Sequence, residues 1–186
     1  MADRVFCRPG GHSMEASMQL NISTPGELSF DRAVQCADVS ISPFGERCHV
    51  RASGSGGTYS IFDYRAPPGF GPAKHLHHRE DEIIEVLDGR IAVWTPERTF
   101  SLAAGDTVLL PKSIPHTWRG FGPDVVHLTI SVVPGGFERF FSMVEERQLT
   151  TDDHDGLGAV ARELGLDVLG PPLSDEEVAA IVGPTD

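Results

Sequence analysis

The chain has 186 residues, of which 40% are apolar and 23% charged, with 20 glycines and 14 prolines. That length suits one domain burying roughly 70% of its unfolded surface, and the composition excludes a disordered or coiled-coil protein. A formal net charge of −12 argues against nucleic acid or anionic membrane as partners, and no apolar run approaches the ~20 residues of a membrane helix.

Residues 1–27 read as an N-terminal leader without a secretory apolar core, and Met14 and Met18 offer alternative starts. Cys7, Cys36 and Cys48 are widely spread with no CxxC, the pattern of free thiols in a reducing, cytoplasmic setting. From 28 to 134 short apolar runs alternate with turn residues, the rhythm of a β-sandwich or barrel. The clearest strands are 50–52, 58–65, 83–87, 90–95, 99–102, 107–110 and 125–133. Asp88-Gly89 is expected to join two antiparallel strands through a positive-φ turn.

The period changes after Gly135-Gly136. Phe137, Phe140, Phe141 and Val144 fall on one face of a helix, and Leu157, Val160, Ala161 and Leu164 repeat that spacing. Ser174 and Glu177 form a capping box before Val178, Ile181 and Val182. Residues 135–186 are therefore read as a helical extension, too short to fold alone and docked on the β domain. The phenylalanines are docking residues, on a helix that could also cap a ligand pocket. The acidic "TTDDHD" (150–155) reads as a solvated linker.

The stretch "HLHHREDE" (75–82) carries the chemistry. His75 and His77 share one face of a strand with Cα atoms roughly 6.6 Å apart, so both rings can reach one ion at about 2.1 Å. His78 points to the opposite face. Glu82 has the wrong parity for the same strand, so residues 78–81 must bend to bring it back. Glu80 and Asp81 are then bend residues, solvated or paired with Arg79. In "GDTVLLPKSIPHTW" (105–118), His116 opens a strand between turns and supplies a fourth candidate ligand. By parity Ile84, Val86, Ile114 and Trp118 are expected to wall the same cavity. His12, His49, His127 and His154 have no such support and read as surface or core residues; His127 alone sits on a strand expected to line the barrel.

These residues resemble the cupin superfamily. Its first motif, G-x5-HxH-x3-4-E-x6-G, is matched by Gly69, His75, His77, Glu82 and Gly89, and its second by Gly105, Pro111 and His116. Ser113 and Gly120 stand where the second motif has glycine and asparagine. "PPGFGPAKHLHHREDEIIEVLDG", "VVPGGFERFF" and "LGPPL" are further similar to bacterial single-domain cupins labelled quercetinase-like.

The resemblance implies an all-β double-stranded β-helix, a jelly-roll barrel, with short C-terminal helices and a paired, homodimeric assembly. Three imidazoles and a carboxylate leave a divalent ion with open coordination positions, the logic of non-haem iron oxygenases. The expected cofactor is one divalent transition metal ion, with iron, manganese, nickel, copper and zinc all compatible. The expected partners are a small-molecule substrate and dioxygen, with no nucleic acid and no membrane. The implied activity is a dioxygenase on a small aromatic or flavonol-like, enolisable substrate, with Glu82 accepting the proton of the substrate hydroxyl. The alternatives are a non-oxidative isomerase, lyase or polyketide cyclase, and a binding protein without turnover.

Overall fold

The computed structural model describes residues 40–41, 44, 46–53 and 57–183. The expected leader (1–27), with Cys7 and His12, lies outside the described residues, as does Cys36. Along the chain run β1 (Ser40–Ile41), β2 (Arg47–Ser53), β3 (Ser60–Ala66), β4 (Lys74–His77), β5 (Asp81–Asp88) and β6 (Arg90–Trp94). They are followed by β7 (Thr99–Ala103), β8 (Thr107–Leu110), β9 (Thr117–Gly120), β10 (Val126–Val133), α1 (Arg139–Glu146), α2 (His154–Glu163), β11 (Leu166–Gly170) and α3 (Asp175–Val182).

Two antiparallel layers form a double-stranded β-helix. One is six-stranded in the order β1-β2-β3-β10-β5-β8. The other joins the sheet β7-β6-β9 to the pair β11-β4 through a bridge between His75 and His116. Alternation produces the layers: every second residue is buried along β3, along β10 and, up to Val86, along β5. Phe62, Ile84, Val86, Leu128 and Val132 from the first layer meet Ile91, Val93 and Trp118 from the second in one core. Each such side chain contributes about 1.5–3 kcal/mol when taken out of water.

Asp88-Gly89 does make a positive-φ turn, with Gly89 at φ 80°. It does not close a hairpin, however. β5 pairs with β10 and β8, while β6 pairs with β7 and β9, so the turn carries the chain from one layer to the other. A Cβ at Gly89 would lie 3.1 Å from Val126 Cα, so close packing also selects glycine there.

The C-terminal extension contains a strand as well as helices. β11 pairs along β4, setting Leu166 opposite His77 and Val168 opposite His75. Val144 of α1, Val160 of α2 and Leu164 just after it form a separate small core. α3 starts at the expected capping box, with Ser174 and Glu177 each accepting the other's backbone N–H. Lys74 Nζ meets Glu177 Oε1 at 2.6 Å, and Arg119 reaches Asp175 Oδ1 at 2.6 Å. Val178 and Leu173 pack on Ala92 of β6. The extension is thus fastened to the strands on either side of the histidine bridge.

Candidate metal centre

β4 turns His75 and His77 inward, 8% and 2% exposed, as a period of two requires. A bend at 78–80 ends that strand, and Glu82 re-enters as the second residue of β5, buried beside the inward Ile84 and Val86. His116 is brought to them by two backbone hydrogen bonds. Its N–H donates to His75 O at 2.9 Å, and the His75 N–H donates to His116 O at 3.0 Å. The four donor atoms lie within 4.8 Å of one another. Glu82 Oε2 stands 4.0 Å from His75 Nε2, 3.5 Å from His77 Nε2 and 3.1 Å from His116 Nε2.

The hydrogen bonds behind the rings test whether this set suits a cation. His75 Nδ1–H donates to Ala73 O at 2.7 Å, and His116 Nδ1–H donates to Ile114 O at 2.8 Å. A carbonyl only accepts, so both Nδ1 atoms carry the proton and a neutral ring presents a bare Nε2. Bare nitrogens around a carboxylate oxygen repel unless something positive sits among them. A proton can serve one ring at a time; a divalent ion satisfies all four donors together. The residues therefore fit a metal, and His75, His77, Glu82 and His116 could hold it.

The electrostatics agree. Burial alone would raise the Glu82 carboxyl, but the positive charge that His116, His75 and His77 offer it when a proton sits among them outweighs burial and holds it well below the usual range, so the carboxylate favours a cation at that point. At His75 burial dominates and pushes the ring's pKa down against the pull of Glu82. At His77 burial again disfavours the charged ring, yet Glu80 and Glu82 together lift its pKa to about 9.

Glu80 departs from expectation. It is 3% exposed, and its Oε2 lies 3.4 Å from His77 Nδ1 rather than in solvent or on Arg79. Asp81 is already in β5 and accepts the Lys112 N–H at 2.9 Å. His78 does point away from the cluster and meets Asp167 Oδ2 at 2.8 Å.

The cluster opens on a cavity of about 380 Å³. Trp118 lines it, as expected. Ile84 and Val86 do not: both are buried in the core between the layers, because parity fixes a side chain's face but not its depth. Ile114 is 37% exposed, because the chain is still turning there and β9 begins only at Thr117. Most of the wall comes from elsewhere. Phe62 and Tyr64 of β3, Ile130 and Val132 of β10, and the extension's Phe137, Phe140, Phe141, Leu157 and Leu166 surround the opening. The Phe137 ring lies 5.4 Å from that of His77.

Residues read as linker also take part. Thr151 and His154 line the cavity, and Asp153 Oδ2 accepts the Thr150 N–H at 2.8 Å just before α2. His127 does not face the site, and its Nε2 meets Asp63 Oδ1 at 3.0 Å. Cys48 is buried in the core, and burial pushes its thiol pKa up. The helical repeat marks α1 and α2 as elements, and the phenylalanines read as docking residues on a helix that could also cap a pocket do line the cavity.

A two-layered antiparallel barrel with an inward cluster of three histidines and one glutamate is the architecture of a cupin domain. Residues 62–133 match the family model described as Cupin_2, the cupin domain. The quercetin 2,3-dioxygenase of Aspergillus japonicus is 28% identical over 102 residues, covering 51% of this chain. The chain spans only 29% of that enzyme's length. Among solved structures, KdgF from Halomonas sp. is 20% identical with a TM-score of 0.45, covering 51% of this chain and 84% of its own. The Cnp3 cupin domain of Schizosaccharomyces pombe is 15% identical with a TM-score of 0.47, covering 61% and 77%.

Proposed function

We propose that this chain is a metal-dependent cupin of the quercetinase-like kind, a dioxygenase acting on a small aromatic or flavonol-like, enolisable substrate. The observation that carries the reading is the union of two features in one cavity. One wall presents three Nε2 atoms and a carboxylate oxygen to a common point, and the others are almost entirely apolar and aromatic. Such a pocket suits a flat apolar body with one chelating oxygen pair. The limited identity to a quercetin dioxygenase points the same way.

A bound divalent ion would be held by His75, His77, Glu82 and His116, and would supply Lewis acidity together with open positions for exchangeable ligands. The chain's own residues do the rest. Phe137, Phe140, Trp118 and Tyr64 hold the ring system and exclude water. The Glu82 carboxylate, which lines the cavity wall, takes the proton of the substrate hydroxyl. The test is anaerobic binding of a panel of flavonols and diketones to the metal-loaded protein, followed by admission of oxygen. Stoichiometric oxygen uptake is expected. Turnover without oxygen uptake would overturn this reading and assign the site to an isomerase, lyase or cyclase.

A further inference from the structure

The three histidines of the cluster are not alike. His75 and His116 are each backed by a neutral carbonyl two residues earlier in the chain, at Ala73 and Ile114. His77 is backed by a carboxylate: Glu80 Oε2 faces its Nδ1 at 3.4 Å, on the side of the ring away from Glu82. Glu80 is buried, and a buried carboxylate is costly unless a donor compensates it. Among the described residues, the hydrogen bond to that carboxylate comes from His77.

The surrounding chain is built to keep Glu80 there. The His78 N–H donates to Gly165 O at 2.9 Å, and the Ser113 N–H donates to His77 O at 2.7 Å. The Arg79 stem lies against Gly165, where an added Cβ would meet Arg79 Cδ at 3.1 Å. The bend between β4 and β5 is therefore held from both sides, and the side chain after Arg79 enters the interior.

We infer that Glu80 is a positioning residue of the metal centre, fixing the orientation of His77 and making it the most strongly donating imidazole of the three. It does so without being a ligand, because it stands behind the ring. A negative charge on Nδ1–H pushes electron density to Nε2, which strengthens the bond to any cation placed there. This inference rests on the metal reading given above.

The test is a titration of the metal-stripped full-length protein with cobalt(II), in wild-type, E80Q and E80A forms. Affinity is read by competition with a chromophoric chelator, and geometry by the visible ligand-field spectrum. E80A is expected to bind roughly 10–100-fold more weakly with a displaced spectrum. E80Q keeps the shape and a neutral acceptor, so its affinity should fall between the two, and it carries the comparison should E80A fail to fold. Both variants within twofold of wild type, with unchanged spectra, would overturn the inference while leaving the metal reading intact. A wild-type protein that binds no cobalt would remove the metal reading and this inference with it.

Discussion

Gly71 sits where the approach to β4 crosses β9, and replacing it with alanine should loosen the fold and the metal site together. An added Cβ would fall inside contact distance of the Trp118 carbonyl, 2.9 Å from Arg119 Cα and 3.0 Å from Arg119 Cβ. Carbon atoms pack at about 3.5–4.0 Å, so the two segments must separate by roughly 0.5–1 Å. The obstacle is backbone, which no side-chain rotation can relieve. Two hydrogen bonds bind the segments at this crossing. The Gly120 N–H donates to Phe70 O at 2.9 Å, and Thr117 Oγ1 donates to Pro72 O at 2.7 Å. Overpacking of this kind costs about 1–3 kcal/mol. Loss of one of the two bonds adds about 1 kcal/mol, for a total of roughly 2–4 kcal/mol. Because His75 lies just after Gly71 and His116 just before Trp118 on the same two segments, cobalt(II) affinity should fall at least tenfold. Urea denaturation of the metal-stripped protein followed by circular dichroism measures the first quantity, and chelator competition the second. A Gly71→Ala protein within 0.5 kcal/mol of wild type with normal affinity would refute the reasoning.

Ser113 holds φ 64°, a left-handed conformation costing a non-glycine residue about 1–2 kcal/mol. Ser113→Gly should therefore stabilise the protein by up to about 1 kcal/mol after the extra chain entropy of glycine, visible as a rise in Tm; a fall would contradict this. Glu46 is buried, one of its carboxylate oxygens has no hydrogen-bond partner among the described residues, and burial raises its pKa. A raised folded-state pKa means the native state prefers the protonated acid, so its contribution is intact below the unfolded value and is lost as pH rises through the folded one. Glu46→Gln should thus gain on wild type between pH 4 and pH 8, by roughly 1–3 kcal/mol in paired denaturation curves, and a pH-independent difference would refute the assignment. Leu166→Ala removes a buried β11 side chain opposite His77 and should cost about 2–4 kcal/mol in a single cooperative urea transition. A separate early transition would instead show that the extension unfolds independently of the barrel.

Much of the centre was legible because strand parity is a local rule. His75 and His77 stand two positions apart, so their common face follows from sequence alone. The return of Glu82 follows from its broken parity, and His116 stands out directly after the turn bracketed by Pro111 and Pro115. The motif departures are also intelligible in the structure. Ser113 adopts the conformation that the motif's glycine would provide, and a Cβ at Gly120 would press to 2.8 Å from Val126 Cγ2. What escaped detection depends on contacts far apart in the chain. β11 reads as "LDVLG", too short to show a period, and becomes a strand only by pairing with β4 some ninety residues earlier. Glu80 looks solvated within "HREDE", and only the Gly165 and Ser113 clamps send it inward. Ile84 and Val86 share parity with Glu82, yet the space beside the ligands is set by where α1 and α2 dock.

The central claim is that His75, His77, Glu82 and His116 together hold one divalent metal ion in an apolar cavity. Elemental analysis of the purified full-length protein beside a His77→Ala/His116→Ala variant tests it most directly. The account predicts about one first-row divalent ion per wild-type chain and essentially none in the variant. A wild-type protein that takes up no metal on incubation with divalent salts, or a variant that retains it, would contradict the claim.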